Sequence, residues 1–513
     1  VDSVLCHTVP WTPNHILDEV QRSHVGNMAH RRRTKIVCTI GPATESRDVL
    51  NRIIRHGVDV VRLNMSHGTH EWHRDRIRMI RELTAENKTP TAIMMDIQGP
   101  KIRTGNPGGG DMALHDGDDL TICTDPASID STDSASAGSV TRQMICVNYP
   151  FFDREVSEGQ TILVDDGLIR LLILKTGGGY VETKILVGGV IRDRRGVCVP
   201  DANFSTPSVT EKDVEDVLFG IEQGVDYIAV SFVRAASDVR DLKQTLREHD
   251  ADIPIIAKIE TKKGLDNFSE ILEVADGIMV ARGDLGVEIP IEEIPVTQKR
   301  LIKAANLAGK PVITATQMLE SMIHEAIPTR AEATDVANAI LDGTDAIMLS
   351  GETASGKYPV ESLIMMDKIA NITEPTLPEH DVHKHAETAS LPVAQGIGHA
   401  VCQLAQDLDA AAIITTTYSG STARIVSMYR PETPIIAVTP DEGTFRRLSL
   451  IWGVVPQMLP LVTENTDEMI AASIRSAVYA GFVNVGDRVV LTAGVPIFSA
   501  GATNLIKTHV VGE

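Results

Sequence analysis

With 513 residues, 43% of them hydrophobic and 23% charged, the chain has the composition of a globular protein of roughly two to four domains, and disorder is excluded as its default state. Lys and Arg total 48 against 69 Asp and Glu, a formal net charge of −21 that repels nucleic-acid backbones and anionic lipid, so any phosphorylated ligand must meet locally concentrated cations. The six cysteines show no CxxC spacing and signal neither a zinc site nor a disulfide framework, and no apolar run reaches the ~18 residues of a membrane span.

The opening VDSVLCHTVPWTPNH lacks the charged-then-apolar order of a signal peptide, so a cytoplasmic location is expected. Within residues 1–30, NHILDEVQRS reads as one short helix. Three apolar runs rich in β-branched residues follow, at 35–41 (KIVCTIG), 58–65 (VDVVRLNM) and 91–98 (TAIMMDIQ), with amphipathic helical text between them. Over residues 103–206 the pattern changes to hairpin-like runs (DLTICT, MICVNY, TILVDDGLIRLLIL, YVETKILVGGVI) broken by DDG and GGG turns, which predicts an inserted β domain. Its Ser-rich stretch DPASIDSTDSASAGSVTRQ reads as an exposed loop. Five further strands are predicted at 227–232, 253–260, 277–283, 311–317 and 346–352, completing eight βα units. Several of the intervening helices end on a Gly suited to a helix stop. Eight such units predict a closed (β/α)8 TIM barrel with its active site at the carboxyl ends of the strands. After a Pro- and His-rich boundary, the runs AAAIITTT, PIIAVT, VVPQML and RVVLTAG alternate with helices such as TDEMIAASIRSAVYAGF, the pattern of an open α/β sheet. The expected organisation is a helical segment at 1–30, a barrel from 31–102 and 207–372, a small β-barrel lid at 103–206, and a C-terminal α/β domain at 373–513.

The carboxyl ends of the barrel strands, taken in order, carry Arg62, Asn64 and Ser66, then Asp96, Lys258 and Glu260, Asp284, Thr316, and finally Ser350 and Glu352. Packing requires none of these polar groups, and together on one barrel face they point to catalysis. Glu260 and Asp284, carboxylates from neighbouring strands, form a hard-oxygen offer to Mg2+ or Mn2+. Lys258 lies two residues before Glu260, on the same side of its strand, so its ammonium can lie beside such a metal and over a transferring phosphoryl group. The run Gly283, Asp284, Leu285, Gly286 places backbone N–H groups at a helix start, suited to a carboxylate or phosphate. In the third domain, TTTYSGSTARIV sets Thr415, Thr416, Thr417, Ser419, Ser421 and Thr422 between a strand and a helix, a hydroxyl-rich anion cradle.

From about residue 35 to its end, the chain resembles the pyruvate kinases. The resemblance is carried by RLNMSHG (62–68), DIQGPKIRTG (96–105), IIAKIE, ARGDLGVEI (281–289), TATQMLESM (314–322) and MLSGETASGKYP (348–359). It implies phosphoryl transfer from phosphoenolpyruvate to ADP, a mobile β lid, a regulatory C-terminal domain and a homotetramer. It further implies that Arg62 and Lys258 grip the phosphoryl group and that Arg103 contacts nucleotide phosphates, with Asn64 and His67 on the nucleotide side. The substrate carboxylate would be held at Gly283, Asp284 and Thr316, the last of these lying where the enolate is protonated through water. In potassium-requiring relatives a glutamate stands at the position of Lys101 and a lysine at that of Gln98, with K+ held by the residues matching Asn64, Ser66 and Asp96. Lys101 matches the potassium-independent branch, so its ammonium is expected to replace K+. In RRGVCVPDANFSTP, Arg195 stands in for a nucleotide-contacting lysine. The resemblance makes the hydroxyl-rich loop the phosphate seat of an allosteric sugar-phosphate or nucleotide effector, covered by the segment GVPIFSAGATNLIK. Two other readings share part of the pattern: a barrel lyase or mutase acting on oxo-acids, which needs neither Lys258 nor a nucleotide lid, and a silent metabolite sensor, which would have lost Lys258, Glu260, Asp284 or Thr316.

Overall fold

A computed structural model describes residues 32–106, 110–124, 143–200, 202, 204–377, 391–459, 465–495 and 503–513. The helix expected at 14–23 and nearly all of the Ser-rich loop fall outside these residues. Strands β1 (Lys35–Ile40), β2 (Val60–Asn64) and β3 (Ala92–Ile97) precede an insertion of eight short strands. These are β4 (Met112–Leu114), β5 (Asp119–Cys123), β6 (Gln143–Cys146), β7 (Thr161–Val164), β8 (Ile169–Gly177), β9 (Tyr180–Val187), β10 (Gly189–Ile191) and β11 (Val197–Cys198). The barrel resumes with β12 (Tyr227–Val230), β13 (Ile255–Ile259), β14 (Gly277–Ala281), β15 (Val312–Ala315) and β16 (Ala346–Leu349). All eight predicted barrel strands are present, and they close in the order β1-β16-β15-β14-β13-β12-β3-β2.

The continuous apolar runs have a physical cause in this closure: each strand is buried on both faces. Val37, Met94, Ile256, Met279 and Ile313 fill the barrel interior, while Ile36, Ile93, Met95, Ala257 and Val280 pack outward against the helices. Helix boundaries follow local chemistry. Thr210 caps Glu211–Gln223 by accepting from the Asp213 N–H, and Gly224 ends it at φ 62, a left-handed conformation that glycine adopts without steric cost.

The insertion forms a six-stranded sheet, β11-β7-β8-β9-β5-β6, and a two-stranded one, β10-β4, around a core that includes Ile122, Phe152, Leu171 and Val181. Asp165, Asp166 and Gly167 turn β7 into β8 with φ of 53, 55 and 83. The cysteine spacing argued against a disulfide, yet Cys123 and Cys146 are joined in one. The parallel register of β5 and β6 pairs these two residues directly, a juxtaposition that sequence spacing does not encode.

The C-terminal sheet runs β19 (Val454–Met458), β18 (Ile435–Thr439), β17 (Ala412–Thr416), β20 (Arg488–Gly494), β21 (Thr503–Val510). Strand β21 is antiparallel to β20 and takes in the end of the segment read as an effector-covering loop, so Thr503–Lys507 is strand, paired by backbone hydrogen bonds. This domain closes the amino end of the barrel. Leu450, fully buried, joins the interior cluster of Val37, Val60 and Ala346, and Lys35 Nζ donates to the Val454 carbonyl at 2.7 Å. No helix among the described residues is long and apolar enough to cross a membrane.

Candidate active site

Side chains on a strand alternate between its two faces, so the positions that fill the barrel interior lower down carry polar groups at the top. On β13, Ile256 in the interior is followed on the same face by Lys258 and Glu260; on β3, Met94 is followed by Asp96. The four groups Arg62, Asp96, Lys258 and Glu260 meet there. Arg62 Nε donates to Asp96 Oδ2 at 2.6 Å and Arg62 Nη1 to Thr39 Oγ1 at 3.0 Å. Lys258 Nζ lies 2.8 Å from Glu260 Oε1, 3.2 Å from Asp96 Oδ1 and 2.7 Å from Ser231 Oγ. All four are at least nine-tenths buried.

Burial disfavours the Lys258 ammonium, but Asp96 and Glu260 outweigh it and hold its pKa above the ordinary lysine value. Burial likewise acts to raise Asp96, and Arg62 and Lys258 outweigh it, keeping that carboxyl below its usual range. Glu260 behaves differently: burial, reinforced by Asp284, lifts its carboxyl above the usual range in spite of Lys258. A buried carboxyl crowded by a second carboxylate is a site that gains from a cation.

Asp284 sits in the helix Arg282–Glu288 that follows β14, where Lys101 Nζ approaches its Oδ1 at 3.1 Å. Lys101 also lies 5.8 Å from the centroid of the Phe232 ring. Glu260 and Asp284 supply hard oxygens fit for Mg2+ or Mn2+. Among the described residues no cluster of three or more His, Cys, Asp or Glu could hold a metal, so the protein would offer two carboxylates and leave the other positions to water and substrate.

The Gly283 N–H, expected to be free, donates to Thr316 Oγ1 at 2.7 Å, and that hydroxyl donates to the Ala315 carbonyl at 2.6 Å. Thr316 and Gln317 have φ of 67 and 55, and Phe232, at the end of β12, has φ 55. Non-glycine residues in this region are strained and persist only where the surroundings hold them. Glu260 Oε2 accepts from the Phe232 N–H at 2.8 Å. Arg282 holds the Thr316 turn, donating to the Thr316 carbonyl at 2.7 Å while pairing with Asp335 at 2.8 Å.

The other predicted residues are placed less centrally. Asn64 Oδ1 accepts from the Ser66 N–H at 3.1 Å, a local turn after β2. Burial, with repulsion from Arg103 and Arg62, holds His67 below the usual histidine range. Arg103 Nη1 donates to the Arg194 carbonyl at 3.2 Å, and Arg195 pairs with Asp165 inside the insertion at 3.3 Å. The insertion touches the barrel top where Cys198 Sγ meets Glu288 Oε1 at 2.9 Å, beside a cleft of about 130 Å³ bordered by Lys101, Phe232, Glu260 and Asp284. In the C-terminal domain the Thr415 and Thr416 hydroxyls are buried without a hydrogen-bond partner among the described residues, Thr417 Oγ1 accepts from the Gly420 N–H, Ser419 Oγ donates to Ser421 Oγ, and Thr422 bonds Thr503.

Sequence reasoning missed Ser231, Arg282 and Asp335. Ser231 was legible, as a hydroxyl closing an apolar strand; Arg282 and Asp335 carried no such signal, because only folding brings them together.

Comparison with known proteins gives two family models that match the chain: "Pyruvate kinase, barrel domain" over residues 31–363 and "Pyruvate kinase, alpha/beta domain" over residues 395–509. The chain is 50% identical over 487 residues to the pyruvate kinase of Geobacillus stearothermophilus, covering 94% of this chain and 81% of that protein. It is 47% identical over 486 residues to that of Bacillus licheniformis, with the same coverage, and 45% identical over 485 residues to pyruvate kinase 2 of Synechocystis, covering 94% and 79%.

Proposed function

The chain belongs to the pyruvate kinase family of phosphotransferases, and on that premise we propose that it transfers the phosphoryl group of phosphoenolpyruvate to ADP with Mg2+ or Mn2+, without a need for K+, under control of a phosphorylated effector. The observation that carries the reading is the buried cluster of Arg62, Asp96, Lys258 and Glu260 at the strand ends, with Asp284 and Lys101 beside it.

The bond from the enol oxygen to phosphorus breaks, a bond from phosphorus to the ADP β-phosphate oxygen forms, and the enolate left behind takes a proton at its terminal carbon to give pyruvate. Lys258 and Arg62 face the transferring group, and their charge is worth most while that group carries its spread negative charge in a loose transition state. Asp96 fixes both cations in place. Glu260 and Asp284 would hold the divalent ion, which would supply Lewis-acid stabilisation of the phosphoryl group. Thr316 and the peptide around Gly283 seat the substrate carboxylate. The Thr316 hydroxyl has too high a pKa to give up its proton outright, so it orients the water that protonates the enolate. Burial, with repulsion from Arg103 and Arg62, holds His67 below the usual histidine range, a positive setting suited to nucleotide phosphates. Arg195 reaches ADP only by leaving Asp165.

The Lys101 contact with Asp284 supports K+ independence, since a fixed ammonium already stands beside the metal carboxylate. Unpartnered buried hydroxyls at Thr415 and Thr416 support an anion seat for the effector. Likeness to the family supports a cytoplasmic homotetramer. A lactate dehydrogenase-coupled assay in a buffer free of K+ and NH4+ tests the whole reading. Turnover is expected with phosphoenolpyruvate, ADP and Mg2+, abolished by EDTA and unchanged by KCl; absence of pyruvate formation rejects the reaction, and many-fold activation by KCl rejects the role of Lys101.

A further inference from the structure

The turn that follows β2, residues 64–68, carries Asn64 and His67, and its backbone is held by two side chains that the proposed reaction does not use. The helix His70–Asn87 opens directly after it, capped by Thr69 Oγ1, which accepts from the Trp72 N–H at 3.3 Å. The buried face of this helix runs His73, Ile77, Ile80 and Thr84 at helical spacing, so a histidine stands where the apolar stripe begins. His73 is 2% exposed, and its Nε2 lies 2.8 Å from the His67 carbonyl. A carbonyl oxygen only accepts, so Nε2 carries the proton of this bond. The other ring nitrogen, Nδ1, is buried with no hydrogen-bond partner among the described residues. A buried polar atom left so costs stability, and packing alone is better served by phenylalanine. What His73 supplies and phenylalanine does not is the hold on His67.

A second hold comes from the helix Glu211–Gln223. Lys212 Nζ donates to the Met65 carbonyl at 2.9 Å and to Asp216 Oδ2 at 2.7 Å, while Asp216 Oδ1 lies 2.6 Å from His70 Nε2. Within the turn, the Ser66 N–H donates to Asn64 Oδ1 at 3.1 Å and the His67 N–H to the Asn64 carbonyl at 3.2 Å. Gly68 has φ 81, and a Cβ there would come within 3.2 Å of His73 Nε2, so turn and imidazole are closely packed. His67 itself is exposed, and the charges of Arg62 and Arg103 both act on it. The turn is thus tied at its back and open toward the two arginines.

We propose that His73 and Lys212 are positioning residues for the nucleotide, setting Asn64 and His67 by holding the His67 and Met65 carbonyls, a role that presupposes the nucleotide-side reading of this turn. A turn without these ties would be ordered by the ligand itself, and that ordering weakens binding. Neither residue reaches the cluster of Arg62, Asp96, Lys258 and Glu260, so their loss should fall on ADP and spare phosphoenolpyruvate.

Steady-state kinetics with each substrate varied in turn, together with isothermal titration of ADP with Mg2+, tests this. His73→Phe keeps a ring but not the donor, and should raise KM and Kd for ADP about five- to tenfold while KM for phosphoenolpyruvate stays within about twofold. His73→Gln places an amide N–H near the position of Nε2 and should recover most of the ADP affinity. Lys212→Met should act in the same direction as His73→Phe; its side chain is 51% exposed, so this change leaves the core intact. Arg78→Ala, on the exposed side of the helix His70–Asn87, should alter neither constant. Circular dichroism shows which variants are folded, and Lys212→Met decides alone should His73→Phe not be. Pyruvate formation by the wild type is measured first, and its absence rejects the reaction itself. With turnover present, the role of His73 and Lys212 is overturned by unchanged ADP constants in the folded variants, by equal losses for the two substrates, or by a His73→Gln as impaired as His73→Phe.

Discussion

Lys258 shows how a charged residue is kept in a buried strand. A lysine in the buried strand run IIAKIE would be an unpaired charge without partners, and the fold supplies Asp96, Ser231 and Glu260 within 3.2 Å. In the proposed reaction that ammonium faces charge that develops only during transfer, so Lys258→Met is expected to lower kcat by about 10²–10³-fold. KM for phosphoenolpyruvate should change little in steady-state kinetics, and equal losses in binding and rate would instead indicate a ground-state contact. The placement of Lys258 beside Glu260 at a strand end was legible from a single strand. That of Arg282 was not, since an arginine acquires meaning only from what the barrel closure sets beside it.

At the scale of elements, one carboxylate joins two pieces of the chain near the candidate site. Glu332, in the first turn of the helix Arg330–Leu341, accepts from the Thr329 N–H and hydroxyl at 2.7 and 2.8 Å, and from the Ser321 N–H and hydroxyl at 2.7 and 2.6 Å. Burial acts to raise its pKa, but these hydrogen bonds outweigh it and hold the carboxyl below the usual glutamate range. The unfolded chain therefore binds that proton more readily than the folded one. The stabilisation is fully present above the unfolded value of about 4.3 and is lost as pH falls through the lower folded value. Glu332→Gln should lower Tm at neutral pH, with the difference from wild type closing below about pH 4 in thermal melts. A constant difference across that range would mean the charge is not what matters. The capping box T-x-x-E was written in the local sequence, but the reach back to Ser321 was not.

On the scale of the whole molecule, the C-terminal domain is the floor of the barrel. Leu450 enters the interior cluster from outside the barrel sequence. Asp226 ties Arg81 of the barrel and Arg446 of the C-terminal domain at 2.9 and 2.8 Å. Leu450→Ala leaves a cavity at the seam and is expected to cost about 2–5 kcal/mol, seen as a lower Tm by calorimetry. Turnover at saturating substrate should persist, because the proposed catalytic cluster lies at the opposite end of the strands. Unchanged melting would remove Leu450 from the barrel core.

The eight apolar strand runs, the change of pattern that marks the inserted β domain, and the polar residues at the strand ends were determined by sequence, because burial and side-chain alternation act locally and leave a periodic trace. Tertiary structure decided the rest: the Cys123–Cys146 bond, the Lys101 contact with Asp284, the Arg282 and Asp335 brace on Thr316, and the Lys212 hold on the Met65 carbonyl. Each depends on groups far apart in the chain whose meeting is fixed by strand register and domain docking, and neither register nor docking leaves a local mark in the order of residues.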